Sequence, residues 1–297
     1  MPEETTSLLP VTVQRLHFRA DKPLHLGPFP GAIWRSALGA RLRQLVCSTG
    51  TPRCAGCHLA EHCPYPRLFE TRTPANPSSA LLQYNGTTTP PFVISPEPSA
   101  GDGDPRDVAV RLTVVGDDPQ PARLLNRALE EAASSGLGRD RIPLTLRDTD
   151  DCPLPPVPDS PDEATLVLHT PLRLKTRGHY LGPHDFPVVP LARALLRRIT
   201  HLGASHVDGF DDRPLATLAR EVDTLQRRAA ELHWRDQHRY SARQKRRVPM
   251  GGLVGHITVG GPALPALWPW LWLGQWLHLG KGATMGMGRY TLSVEPG

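Results

Sequence analysis

This chain of 297 residues lacks any apolar run of the roughly eighteen residues that a membrane-spanning helix needs. The nearest approach, Leu264 to Leu279, is broken by Pro265, Pro269, Gln275 and His278. The first residues carry Glu3 and Glu4 instead of the basic and then apolar regions of a secretory signal. A cytoplasmic protein with no membrane partner is expected. Two nucleotide-binding fingerprints are missing as well. Lys281 stands in a glycine-rich stretch but is followed by Gly282 rather than by Ser or Thr, and no G-x-G-x-x-G follows a strand pattern. P-loop and dinucleotide chemistry are thereby excluded. In a reducing compartment the five cysteines read as metal ligands or free thiols before disulfides.

What is present is basic and rich in proline. The 34 Lys and Arg against 29 Asp and Glu leave a net charge of +5, and the cations cluster at Arg193, Arg197 and Arg198 and again at Arg239, Arg243, Lys245, Arg246 and Arg247. Such clusters suit an anionic partner, with a solvated helix face as the plain alternative for the first of them. The 33 prolines mark loops and linkers. Length suggests two domains, each large enough to bury a core.

Hydrophobic periodicity divides the chain accordingly. Val11 to Arg19 alternates as a strand, and Gly31 to Val46 is an amphipathic helix. A cysteine-bearing insert and a Pro/Thr/Ser-rich loop follow. Then come strands at 92–94 and 108–115, a helix at 122–133 and a strand at 142–146. The segment from Asp150 to Asp162 reads as a stiff linker. Beyond it the pattern predicts a strand at 165–174, a helix at 191–202 with its arginines on the wet side, and a short helix at 215–225. Hairpin strands at 231–239 and 253–259, a helix at 264–277 and a last strand at 289–294 complete the chain. Both halves run β-α-β-β-α-β. The fold class is therefore α+β: two tandem ferredoxin-like (RRM-like) domains, at 1–150 and 164–297, joined by a linker at 151–163.

Cys47, Cys54, Cys57 and Cys63 are spaced C-x6-C-x2-C-x5-C. Four thiolates at these spacings suit a tetrahedral zinc ion in a small knuckle inserted in the first domain. An iron–sulfur cluster takes the same ligands, but nothing else in the chain suggests electron transfer. Four reduced thiols without a metal are the plain alternative, and His58 or His62 could replace a cysteine. A closed four-ligand set leaves no position for substrate, so the role would be structural. Cys152, alone in the linker, has no assigned role. The other informative stretch is Leu277 to Leu292, where Gly280, Gly282, Gly286 and Gly288 surround Lys281 and Thr284. Glycine lets a backbone approach a ligand, its amides can cradle a phosphate, and a lysine adds a point charge.

Several short motifs, in order along nearly the whole chain, resemble one family. They are Pro30-Gly31-Ala32-Ile33-Trp34-Arg35-Ser36-Ala37-Leu38-Gly39, the stretch from Cys63 to Glu70, Ser135-Gly136-Leu137-Gly138, Thr170-Pro171-Leu172-Arg173-Leu174-Lys175, Tyr240-Ser241-Ala242-Arg243-Gln244, and the loop from Gly280 to Tyr290. They are similar to the CRISPR precursor-RNA processing endoribonucleases of the repeat-associated (RAMP) superfamily. The resemblance implies two ferredoxin-like domains and a glycine-rich loop near the RNA. It also implies an enzyme that cuts CRISPR repeat transcripts into guides without a catalytic metal, with CRISPR repeat RNA as partner and other effector subunits as further candidates. A non-cleaving repeat-RNA-binding subunit of an effector complex is the alternative.

That reaction needs a base for a ribose 2′-hydroxyl, an acid for the departing 5′-oxygen and cations for the phosphorane, and it leaves 2′,3′-cyclic phosphate and 5′-hydroxyl ends. The family usually places a histidine in or near the first helix, and Gly31 to Val46 has none. The catalytic candidates are therefore His25 just before that helix, His278 at the mouth of the glycine loop, and His179 with Tyr180. Some relatives use lysine and arginine instead, which keeps Lys22 and Arg35 in view. The RNA-contact candidates are Lys281, Gly280, Gly282, Arg35 and the basic run Arg243, Lys245, Arg246 and Arg247. Trp234 and Tyr240 flank that run and could stack a base.

Overall fold

The structure is a computed structural model that describes residues 8–71, 89–97, 104–241 and 246–293. Its first half contains β1 (Val11–Ala20), α1 (Pro30–Val46), the short α2 (Pro64–Leu68), β2 (Phe92–Glu97), β3 (Asp107–Val115), α3 (Gln120–Ser134) and β4 (Leu144–Asp151). These strands form an antiparallel sheet in the order β2-β3-β1-β4. Alternation on β1 turns Leu16, Phe18 and Ala20 into the core. Trp34, Leu38 and Leu42 recur on one side of α1, are buried, and close the core over Leu16, Phe18, Ile94 and Leu112. The Trp34 and Phe18 rings lie 5.1 Å apart.

The second half repeats the plan with β5 (Glu163–Leu172), α4 (Val188–His206), α5 (Arg213–Glu221), β8 (Gln226–Arg235), β11 (Gly252–Gly260), α6 (Leu264–Leu277) and β12 (Tyr290–Ser293). Two small hairpins are added: β6 (Lys175–Thr176) with β7 (His179–Tyr180), and β9 (His238–Ser241) with β10 (Arg246–Pro249). The main sheet runs β12-β5-β11-β8. In both sheets the two central strands are the first and third of the half, the ferredoxin-like arrangement expected from element order. Leu195, Ile199, Trp268 and Leu271 pack on Leu166, Leu168, Ile257 and Tyr290, and the Tyr290 hydroxyl donates to the Leu271 carbonyl at 2.7 Å.

Four local expectations need correction. Asp150 and Asp151 are not linker but the end of β4, paired with Arg15 and Gln14. The segment after them is strapped to α6, since Trp268 donates to the Pro158 carbonyl at 2.7 Å and Trp272 to that of Pro155 at 3.4 Å. The hairpin expected from 231–239 and 253–259 does form, as β8 against β11, but β8 runs from Gln226 to Arg235 and the connection folds into the separate β9–β10 hairpin. Finally, Arg198 is not on the wet side of α4. Its Nε donates to the Leu277 carbonyl at 2.9 Å, and burial lowers its pKa to about 10, so it remains a cation at the end of α6.

Candidate active site

The glycine-rich turn lies between α6 and β12. Gly280, Gly282, Gly286 and Gly288 all have positive φ, and a short 3-10 turn spans Ala283–Met285. Its amides mostly bond back into the protein. Leu279 donates to Gly288, Lys281 to Arg173, Met285 to Gly282, Gly286 to Ala283 and Gly288 to Pro171. The Thr170 hydroxyl adds bonds to the Gly286 carbonyl and the Arg289 amide, both at 2.8 Å. These amides hold the turn in shape and are not themselves available to a phosphate. The cations around the turn are what it offers an anion.

The turn fills the seam between the two halves. A Cβ built at Gly31 would sit 1.9 Å from the Met285 carbonyl oxygen, so the first turn of α1 lies directly on the loop. One turn further along α1, Arg35 donates from Nε to the Thr284 hydroxyl at 3.1 Å, and its guanidinium lies 4.2 Å from the Phe69 ring centre. Burial, with Arg239 of β9 next, lowers the Arg35 pKa from its usual value. A guanidinium so held stays charged. Lys281 is exposed on the same turn. Cations from α1 and β9 are therefore neighbours, and Lys281 stands exposed three residues before the Thr284 that Arg35 bonds.

A second group adjoins it. Arg173, whose carbonyl accepts the Lys281 amide, donates to the Tyr180 hydroxyl at 2.7 Å and stands 4.5 Å from that ring's centre. Lys175 approaches the same ring at 4.6 Å. Trp234, 38% exposed, meets it edge-on at 6.4 Å and donates to Asp236. The result is an aromatic platform rimmed by Arg173 and Lys175. Its hairpin turns through Arg177 and Gly178, both at positive φ.

The candidate residues fare differently. His25 is exposed in the loop between β1 and α1, and His179 is exposed on β7 beside Tyr180. His278 is only 2% exposed. Burial, with Arg198 and Arg289 next, lowers its pKa to about 3, so it is a neutral core histidine and not a proton carrier near pH 7. Gly280 and Gly282 shape the turn. Arg246 and Arg247 begin β10 and pair through the backbone with Ser241 and Tyr240, while Arg243 and Lys245 lie outside the described residues. Arg173, Thr284 and Arg239 stood in a family-like motif, the glycine-rich stretch and the second basic cluster, but none was among the site candidates. Arg173 sits between two buried leucines in a strand-like run, and only tertiary contacts give it a partner.

Cys47, Cys54, Cys57 and Cys63 line one small cavity with Arg43, Thr49, Tyr65 and Pro66. Hydrogen bonds from the Gly50 and Leu59 backbone lower the Cys47 and Cys57 thiol pKa values, and burial raises that of Cys54. His58 and His62 are exposed and do not line the cavity.

Two four-stranded antiparallel sheets of ferredoxin-like order thus meet at a basic seam, with a glycine-rich turn and an aromatic platform beside it. Residues 166–290 match the CRISPR-associated endoribonuclease Cas6 family and residues 9–156 the AF_1859 N-terminal domain family. The chain is an endoribonuclease with a Cas6 domain. A Cas6 product complex shares its fold at a TM-score of 0.60 and 17% identity, over 96% of this chain and 100% of that one. Thermus thermophilus Cas6 does so at 0.53 and 17%, over 95% and 98%. A Cas6-related protein from Pyrococcus furiosus follows at 0.51 and 10%, over 97% and 100%. No curated protein sequence matches the chain. Among the described residues no helix is long and apolar enough to cross a membrane.

Proposed function

We propose that the chain cuts CRISPR repeat RNA by internal transesterification, with the scissile phosphate at the seam between α1 and the glycine-rich turn. The reading is supported by one observation above all: Arg35 of the first half is bonded to Thr284 of the second, on the turn that exposes Lys281, and is close to Arg239. An anion held there meets cations that need no rearrangement when charge builds on it. A base removes the 2′-hydroxyl proton, O2′ bonds to phosphorus, the bond from phosphorus to O5′ breaks, and an acid protonates O5′. His25 and His179 are exposed imidazoles suited to either proton transfer. Tyr180 accepts from Arg173, which leaves its own hydroxyl proton to donate. The platform of Tyr180 and Trp234 would hold a flanking unpaired base. The step requires no catalytic metal.

The test is a single-turnover assay on cognate repeat RNA with EDTA present from the start. A 2′,3′-cyclic phosphate and a 5′-hydroxyl are the expected ends. Arg35→Ala and His25→Ala should each slow cutting by about 10²-fold or more, within the range for charge stabilisation and general acid–base catalysis. Tight binding without cutting would instead support the non-cleaving subunit. A 3′-hydroxyl product would refute the 2′-hydroxyl attack.

A further inference from the structure

We infer that the four cysteines of the insert hold one structural zinc ion, and that this ion braces the helix carrying Arg35. The inference rests on what the insert buries. From Cys47 to Cys63 not one residue is fully buried. Leu59 is 38% exposed and Leu45, just before the insert, is 39% exposed. The half-buried residues are Cys47, Thr49, Cys54, Cys57, Ala60 and Cys63, and all of them line the same cavity. A segment with no apolar core of its own needs an internal cross-link to keep its shape. Four of these six inward-turned side chains are thiols, and four thiolates select zinc among common divalent ions.

The local backbone is built as such a site is. The Cys54–Cys57 turn closes with the Cys57 amide donating to the Cys54 carbonyl at 3.2 Å, and Gly56 takes the positive φ between them. The Thr49 hydroxyl lies 3.8 Å from the Cys47 sulfur and 3.7 Å from that of Cys57, which ties two of the four together. The cavity holds about 20 Å³, room for a single small body. Among the described residues the side chains do not yet converge as a closed ligand set. Binding would therefore draw the exposed turns inward.

The ion would act at a distance. Cys63 leads directly into α2, whose Tyr65 and Leu68 are in the first core. Phe69, at the end of α2, stacks on Tyr65 and lies against Gly39 of α1, with the Arg35 guanidinium over its ring. Loss of the ion would loosen α2 and with it the support of Arg35.

The experiment is metal analysis of protein purified under reducing conditions. One zinc per chain is expected. A mercurial that blocks all the thiols should release it, and the cobalt(II)-substituted protein should show the intense visible bands of a tetrahedral thiolate site. Cys57→Ser should lose the zinc and lower Tm, whereas Cys152→Ser should keep it. If Cys57→Ser does not fold, the wild-type stoichiometry and cobalt spectrum still decide. Full zinc in Cys57→Ser, four native thiols that titrate freely in metal-free protein, paired disulfides, or iron with labile sulfide would each overturn the inference. Zinc loss is read here without RNA, so failure of the cutting mechanism leaves this result untouched.

Discussion

Gly31→Ala offers a direct test of the seam. The new methyl carbon would lie 1.9 Å from the Met285 carbonyl oxygen, whereas real Cβ atoms stay at least 3.0 Å from such a neighbour. The obstacle is backbone on both sides, so no side chain can swing away. Helix α1 and the glycine-rich turn must part by about 1 Å, a strain comparable to overpacking a core at about 1–3 kcal/mol. For a protein of this size that lowers Tm by about 2–10 °C. The same shift stretches the bond of 3.1 Å from Arg35 to Thr284 beyond hydrogen-bonding reach. A misplacement of about 1 Å in a catalytic array can cost about 10²-fold in rate. Single-turnover cleavage of repeat RNA, run beside thermal denaturation, reads both effects. Gly182→Ala is the control, because a Cβ there meets nothing within 4 Å. It should match wild type in both assays. A Gly31→Ala protein with unchanged Tm and unchanged cleavage would refute the argument that α1 and the turn form one rigid site.

Three further outcomes follow. Lys281→Ala should weaken RNA binding evenly across sequences and reduce the slope of log affinity against log salt by about 0.7–0.9, as read by titrations at several salt concentrations. Trp234→Ala should weaken binding of RNA with an unpaired flank by about 1–3 kcal/mol and leave a bare stem nearly unaffected, which fluorescence anisotropy would resolve. His278 has a folded pKa of about 3 against 6.5 for the free side chain, so below pH 6.5 the unfolded chain binds the extra proton. Stability is therefore complete above pH 6.5 and declines as pH falls toward 3, by about 2 kcal/mol at pH 5. Denaturant midpoints across that range should flatten in His278→Gln, while the pH profile of cleavage between 6 and 8 should keep its shape.

Much of the scaffold was legible because its signals are local. Helix α6 spans the predicted 264–277, and the strands at 11–20 and 107–115 fall within a residue or two of the alternating runs. Two βαββαβ orders followed from those signals alone. The errors arose where distant partners decide. Polar Asp150 and Asp151 look like linker until β1 supplies their pairing. Arg198 looks solvated until the end of α6 supplies a carbonyl for it. His278 looks poised beside a glycine turn until the fold buries it.

The site divides along the same line. Residue types and short spacings marked the cysteines, the glycine-rich turn and a basic chain with an RNA-processing resemblance, since each is written within a few tens of residues. The meeting of Arg35 with Thr284 spans 249 residues, and the contact of Arg173 with both Tyr180 and the Lys281 amide joins a hairpin to a loop far along the chain. No periodicity records such encounters. They exist because two separate sheets bury their apolar faces and, in docking, bring the start of one helix onto the turn after another.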